Sequence, residues 1–315
     1  MARRIDVHHH ILPQHYVEQI GAGKIGAQGS SGKMPFWSAS DALAKMDEQD
    51  IGTAITSVSA PGLDVPDAGK EAELARWCNE FAATLGHDHP GRFGMFAAMP
   101  LRSVDAALRE TEHAFDTLHA DGVCLLSNHC GLYLGDSYLH PLYEELNRRS
   151  AVVFVHPTSP AEPVPVANLS ASSLDFTFDT ARAIVSLIFT GTLLKFPNMR
   201  FIFSHMGGAL PYIADRIEVL SRNNPELQGH IPDGIRAVLR KCYFDTALSA
   251  NSVTFAAMMQ IGSEDNILFG TDYPFGPKDQ MADAVRSLAR LSLTEAQRSK
   301  IESGNAQVLF PRFAA

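Results

Sequence analysis

Three histidines stand in a row near the start of the chain, in Ile5-Asp6-Val7-His8-His9-His10-Ile11. Side chains alternate faces along a strand, so His8 and His10 share one face while His9 takes the other. Two imidazoles side by side at a strand end supply half of a metal site. Three further reactive residues each close a short apolar run. They are His156 after Ala151-Val-Val-Phe-Val155, His205 after Arg200-Phe-Ile-Phe-Ser204, and Asp272 after Asn266-Ile-Leu-Phe-Gly270-Thr271. Three neutral imidazoles and one carboxylate suit zinc, with a position left open for water or substrate, and manganese is the alternative. His205, followed by Met-Gly-Gly, is either a further ligand or an acid–base group beside the metal, and the residues alone leave both open.

Bringing five such side chains to one place requires several strands that end on the same side. Eight short strands are read, at 5–11, 52–59, 92–97, 122–126, 151–155, 200–204, 241–245 and 266–270. Helices are expected between them at 38–49, 67–85, 103–118, 139–149, 178–196, 209–221 and 252–261, with two more at 279–291 and 294–302 closing the chain. Leu74, Trp77, Phe81 and Leu85 mark the apolar face of the second. This alternation predicts an α/β fold, a distorted (β/α)8 TIM barrel with a small N-terminal insertion, as one domain over residues 1–315. Chemistry in such a barrel sits at the C-terminal ends of the strands, where all five residues fall. The Gly- and Ser-rich stretch 21–32 reads as a lid or flexible loop, and the proline-rich stretch 158–167 as a connection or a pocket mouth.

Composition narrows the function classes. The chain has 315 residues, 45% of them hydrophobic, and a net charge of −9. It carries no Lys/Arg-rich run, so nucleic acid and anionic membranes are poor partners. No apolar run approaches a membrane span, and Met-Ala-Arg-Arg leads straight into a strand rather than a signal peptide. Cys78, Cys124, Cys130 and Cys242 lack metal-type spacing and read as free thiols of a cytoplasmic enzyme.

Asp6-x-His8-x-His10, Phe154-Val155-His156-Pro157, Ser204-His205-x-Gly207-Gly208 and Phe269-Gly270-Thr271-Asp272-Tyr273-Pro274 together resemble the amidohydrolase superfamily. More closely, the chain is similar to its metal-dependent decarboxylases, typified by aminocarboxymuconate semialdehyde decarboxylase. Ser57-Val-Ser-Ala-Pro-Gly62 also resembles 6-methylsalicylate decarboxylases. The resemblance implies one divalent metal on His8, His10, His156 and Asp272, with His205 and Asp272 as catalytic groups. It implies too that Arg216 reaches a neighbouring subunit's site to pair with a substrate carboxylate, hence a homodimer or higher homo-oligomer. No arginine stands near Ala44, where the resemblance would place a second carboxylate-binding group, and this argues against aminocarboxymuconate itself. Two-metal hydrolases of the superfamily carry a lysine at the end of strand four; here the stretch reads Leu125-Leu126-Ser127-Asn128-His129.

The expected reaction is therefore non-oxidative decarboxylation of a small hydroxylated aromatic or muconate-type acid. A mononuclear lactone or amide hydrolase, or a hydratase, is the alternative on the same residues. Phe36, Trp37, Phe275 and the Pro61-Gly62 turn are expected to wall a planar substrate.

Overall fold

The computed structural model describes residues 3–164, 166–276 and 279–314. Eight parallel strands form its centre: β1 Arg4–His10, β2 Ile51–Ser57, β3 Phe93–Ala98, β4 Gly122–Leu126, β5 Val152–His156, β6 Arg200–Phe203, β7 Tyr243–Asp245 and β8 Ile267–Leu268. They pair in sequence order. The chain beyond β8 returns to β1 through hydrogen bonds from Val7 N–H to Phe269 O and from His10 N–H to Tyr273 O, which bring the first and last strands together. Helices follow the strands in turn: α1 Ala39–Glu48, α2 Ala68–Asp88, α3 Val104–Glu112, α4 His140–Arg148, α5 Asp175–Phe189, α6 Leu210–Ser221, α7 Ser252–Ile261 and α8 Gln280–Ala289. The expected (β/α)8 barrel is the observed one.

Both faces of each strand are covered, which is why runs such as Val152–Val155 are apolar without alternation. Inside the barrel, Ile5, Val7, Ile55, Phe96, Phe154 and Ile202 pack against one another. Ala306, Leu309 and Phe310 join that cluster from the C-terminal segment. Arg4 to Glu302 and Arg312 to Asp121 fasten the segment across the strands' N-terminal ends. The bottom of the barrel is therefore plugged, and open space is left at the top.

Caps agree with the sequence. Ser38, Asp67 and Ser103 accept backbone N–H groups at the starts of α1, α2 and α3, and Thr294 with Gln297 forms a capping box before helix Glu295–Ser299. Several expectations are corrected. The helix expected over 178–196 starts earlier and is split, because Gly191 adopts φ +74° between α5 and a short helix Thr192–Lys195. The stretch 21–32 is not all loop: Ala22–Gly26 is helical, and Gln14–Ile20 precedes it as another short helix. Helices Pro225–Gly229 and Ile235–Leu239, and a hairpin of Asn128–His129 with Leu132–Tyr133, had no periodic signal long enough to read. The proline-rich stretch is irregular where described, with Pro165 outside the described residues. Among the described residues no helix is long and apolar enough to cross a membrane.

Phe310 is 2% exposed and meets Phe96 edge-on at 5.8 Å inside the barrel. Phe310→Ala should cost about 3–5 kcal/mol of unfolding free energy, because the closed barrel cannot collapse onto the void. Urea titration checks this; a loss under about 1 kcal/mol would mean the C-terminal plug does not hold the barrel floor.

Candidate active site

A register shift in β1 aims the site. Ile5 and Val7 point into the barrel, and strict alternation would then turn His8 and His10 outward. Between Asp6 and His9 the pairing with β2 slips by one residue. After that bulge His8 points inward, its ring 5.0 Å from the Phe154 ring, and His10 follows it. His9 turns away to bond Asp6 and lie against Tyr273, as the alternation after the bulge requires.

His8 Nε2 and His10 Nε2 lie 3.0 Å apart, at 3.2 and 3.1 Å from the same Asp272 oxygen. With His156 these make a buried group whose ligand atoms lie within 4.8 Å of one another. Each imidazole spends its Nδ1 on the protein. His8 bonds Asp245 at 2.9 Å, His10 bonds Ser57 at 2.9 Å, His156 bonds Pro157 O at 2.7 Å and His205 bonds Ala247 O at 2.8 Å. Carbonyl oxygens only accept, so His156 and His205 carry a proton on Nδ1 and turn Nε2 inward. Burial holds the His156 imidazole well below its usual range, and burial likewise lowers His10 to about 4. Both are neutral, the ligating form. Burial pulls His8 down too, but Asp245 and Asp272 overcome it and raise it to about 10, while Asp272 is held well below the carboxylate range against its own burial by His8 and His10. A cluster of inward nitrogens and a carboxylate calls for a positive charge at their meeting point. A divalent cation fits these donors.

Two carboxylates outside the expected ligand set, Asp245 and the Asp6 of the first motif, hold this arrangement. Asp245 bonds His8 through one oxygen, while the other accepts the backbone N–H groups of His205 at 3.0 Å and Ala247 at 2.9 Å. It ends β7 as His156 ends β5, and that position was the available signal. Asp6 accepts from His8 N–H, Thr271 N–H and the Thr271 hydroxyl, tying β1 to the turn that carries Asp272. His205 and Asp272 themselves sit at φ +53° and +63°, a strained region for residues with a Cβ. Gly208 follows because a side chain there would collide with the Thr177 carbonyl of α5.

The cavity above has a volume of about 240 Å³ and is lined by His156, His205, Asp272, Phe275, Phe176 and Ser59, with Gln28–Ser30 of the N-terminal insertion at its edge. Phe275 is in this lining, its ring 5.7 Å from His10. Phe176 was not anticipated, because nothing in its local sequence separates a pocket wall from a helix core. Trp37 is outside the lining of this cavity: it packs on Phe81 in a cluster with Trp77, since its stretch leads into α1 on the barrel's outside. Phe36 is exposed, and Pro61 and Gly62 face a neighbouring cavity. At the end of β4, Ser127 and Asn128 bond Asp179 of α5. Arg216 is exposed on α6, outside this cavity; its neighbours Asp215 and Glu218 are engaged by Arg236 and by Ile235 N–H.

Asp245→Asn keeps the size of the side chain but removes the charge that holds His8. It should lower affinity for a divalent metal by about 10–100-fold with the circular dichroism spectrum unchanged. Equal affinity in the variant would show that His8 needs no such partner.

The profile of the family described as Amidohydrolase matches residues 5–312. A 6-methylsalicylic acid decarboxylase of Penicillium expansum is 35% identical over 314 residues, covering 98% of this chain and 96% of its own. A solved structure described as an amidohydrolase II superposes with a TM-score of 0.90 at 28% identity, over 98% of this chain and 99% of the other. A dihydroxybenzoic acid decarboxylase of a Polaromonas species, solved with manganese and 2-nitroresorcinol, gives a TM-score of 0.80 at 26% identity, over 100% and 98%. The chain belongs to the amidohydrolase family.

Proposed function

We propose that this chain is a metal-dependent, non-oxidative decarboxylase of a hydroxylated aromatic carboxylic acid, acting through one domain over residues 1–315. The observation that carries the reading is the convergence of His8, His10 and Asp272 within 3.2 Å, with His156 beside them, under a small cavity walled by two phenylalanines. The 35% identity to a 6-methylsalicylic acid decarboxylase and the manganese-bound dihydroxybenzoic acid decarboxylase support the same reaction. His8, His10, His156 and Asp272 are the proposed ligands of one divalent ion. Three imidazoles and a carboxylate favour zinc, and manganese is the alternative. When bound, the metal supplies Lewis acidity and a template for the substrate's carboxylate and adjacent hydroxyl.

The chain's own groups do the rest. Decarboxylation of an aryl carboxylate breaks the C–C bond, releases carbon dioxide and requires one proton at the ring carbon. His205 and Asp272 both line the cavity, and the proton comes either from a water held by His205 or through Asp272 after that carboxylate has taken one up from water or the substrate hydroxyl. Ala247 O fixes the His205 ring so that Nε2, the atom that holds that water, stays aimed inward. Phe176 and Phe275 hold a flat ring between them and shed water from it.

We propose further that the working form is a homodimer or an assembly of dimers in which Arg216 enters the partner's site and grips the substrate carboxylate with two parallel hydrogen bonds. Support comes from its exposure on α6 and from the apolar side chains near it on the same helix, with Tyr212 91% exposed and Leu220 64%. A cytoplasmic location agrees with the free state of Cys78, Cys124, Cys130 and Cys242.

A panel of hydroxybenzoates and methylsalicylates, assayed with added zinc or manganese, tests the reaction. One carbon dioxide per acid consumed is expected, with one metal per chain by elemental analysis and neither in His10→Ala. Acid release without loss of carbon would make the chain a hydrolase instead. His205→Ala should retain metal and lose about 10²–10⁴ in turnover. Mixing it with an inactive Arg216→Ala protein under conditions of subunit exchange should restore activity. A fully active Arg216→Ala variant, or an active monomer, would remove the crossed arginine.

A further inference from the structure

A second cavity, of about 350 Å³, opens beside the metal-ligand cluster over the ends of β2, β3 and β4. The two are back to back. Ser59 and His156 face the first, Val58 and Thr158 face the second, and Gln28 borders both. The two cavities are thus neighbours that share Gln28.

Its polar side is built around Arg102. The Arg102 Nε donates to Val65 O at 2.7 Å, and one terminal nitrogen reaches only the Cys130 sulfur at 3.5 Å. Among the described residues no carboxylate pairs with the guanidinium. The nearest acid, Glu71, is 1% exposed and turned elsewhere: one oxygen accepts the Arg102 backbone N–H at 2.8 Å, and the other lies 3.8 Å from His129 Nε2. Burial raises this carboxyl to about 7, and burial, with Arg102 close by, keeps the His129 imidazole below its usual range. Leu63, Met99 and Leu126 form the opposite, apolar side. A cation in a half-apolar cavity whose two lining carboxyls are engaged elsewhere, Asp64 by Lys24 and Glu71 by the Arg102 backbone N–H, is what an amphipathic anion requires.

We propose that this cavity is a second binding subsite for an organic monocarboxylate, its anion held by Arg102 and its body resting on Leu63, Met99 and Leu126. The ligand class follows from charge and shape. One unpaired guanidinium balances one negative charge, and the nearby carboxyls of Glu71 and Asp64 oppose a second. The apolar side would leave inorganic phosphate or sulfate without partners for most of its oxygens, whereas a volume of about 350 Å³ accepts a substituted ring. His129 Nε2 lies near enough to Glu71 to turn between that carboxyl and a bound anion. The subsite would keep an acid beside the metal cluster, under the same Gln28. It stands whether or not the chain is a decarboxylase.

Benzoate and 4-bromobenzoate, which lack the adjacent hydroxyl, are the probes. In crystals of the metal-loaded wild-type protein soaked with 4-bromobenzoate, the bromine signal should appear in this cavity. Calorimetry in solution should show benzoate binding to the His10→Ala variant, in which the metal cluster is disabled. Adding Arg102→Ala to that background should weaken binding about tenfold or more, and Arg102→Lys by less, since lysine keeps the charge but not the fork. Bromine found only among His8, His10, His156 and His205, no heat in the His10→Ala protein, or an Arg102→Ala protein that binds equally well would each overturn the subsite. No turnover is measured, so these results leave the decarboxylase reading untouched, and failure to release carbon dioxide leaves the subsite untouched.

Discussion

Two imidazole nitrogens 3.0 Å apart, each within 3.2 Å of one carboxylate oxygen, must share a proton or a cation to stay together. That requirement organises the top of the barrel. It raises His8, lowers Asp272, and makes any loss of geometry costly because the groups are buried. The surrounding residues are arranged to keep these atoms from relaxing apart. Asp245, Ser57, Pro157 O and Ala247 O each take one imidazole nitrogen and leave the other facing inward. Asp6 then ties the strand bearing His8 to the turn bearing Asp272.

The barrel divides its work along its axis. The lower interior is filled by aliphatic and aromatic side chains from the strands and by the C-terminal segment, which supplies the burial that offsets the ordering of a long chain. The upper end is polar, and it holds His205, Met206 and Asp272 in left-handed backbone conformations. Such conformations cost about 1–3 kcal/mol each and persist only where neighbours over-determine them. Here the over-determination is visible. Both backbone N–H groups at 205 and 247 end on one Asp245 oxygen, and Thr271 makes two bonds to Asp6. A stable floor thus supports a strained rim.

Loops around the rim decide what enters. The insertion between β1 and α1 contributes Gln28–Ser30 to the metal-side cavity, while the cavity over β2 to β4 differs from it in character. One cavity is narrow and walled by Phe176 and Phe275; the other pairs a single guanidinium with aliphatic side chains. Both open at the strands' C-terminal ends, because only there do loops, rather than packed side chains, fill the space above a closed barrel.

Fold class and most of the His/Asp cluster are legible in the sequence, since both are written in local patterns. Short apolar runs alternating with helical periodicity imply the barrel, and a reactive residue at the end of a strand is placed by that strand alone. His8, His10, His156, His205 and Asp272 were legible for this reason. What those residues touch depends on contacts made across the fold. The bulge at Asp6–His9 depends on register with β2, which no residue of β1 announces. Asp245 matters through contacts with His8, 237 residues away, and Asp6 through Thr271, 265 away. Trp37 and Phe176 show the same limit from opposite sides. An aromatic residue has the same local signature in a core as in a pocket wall, and which it becomes depends on elements distant in sequence that close over it.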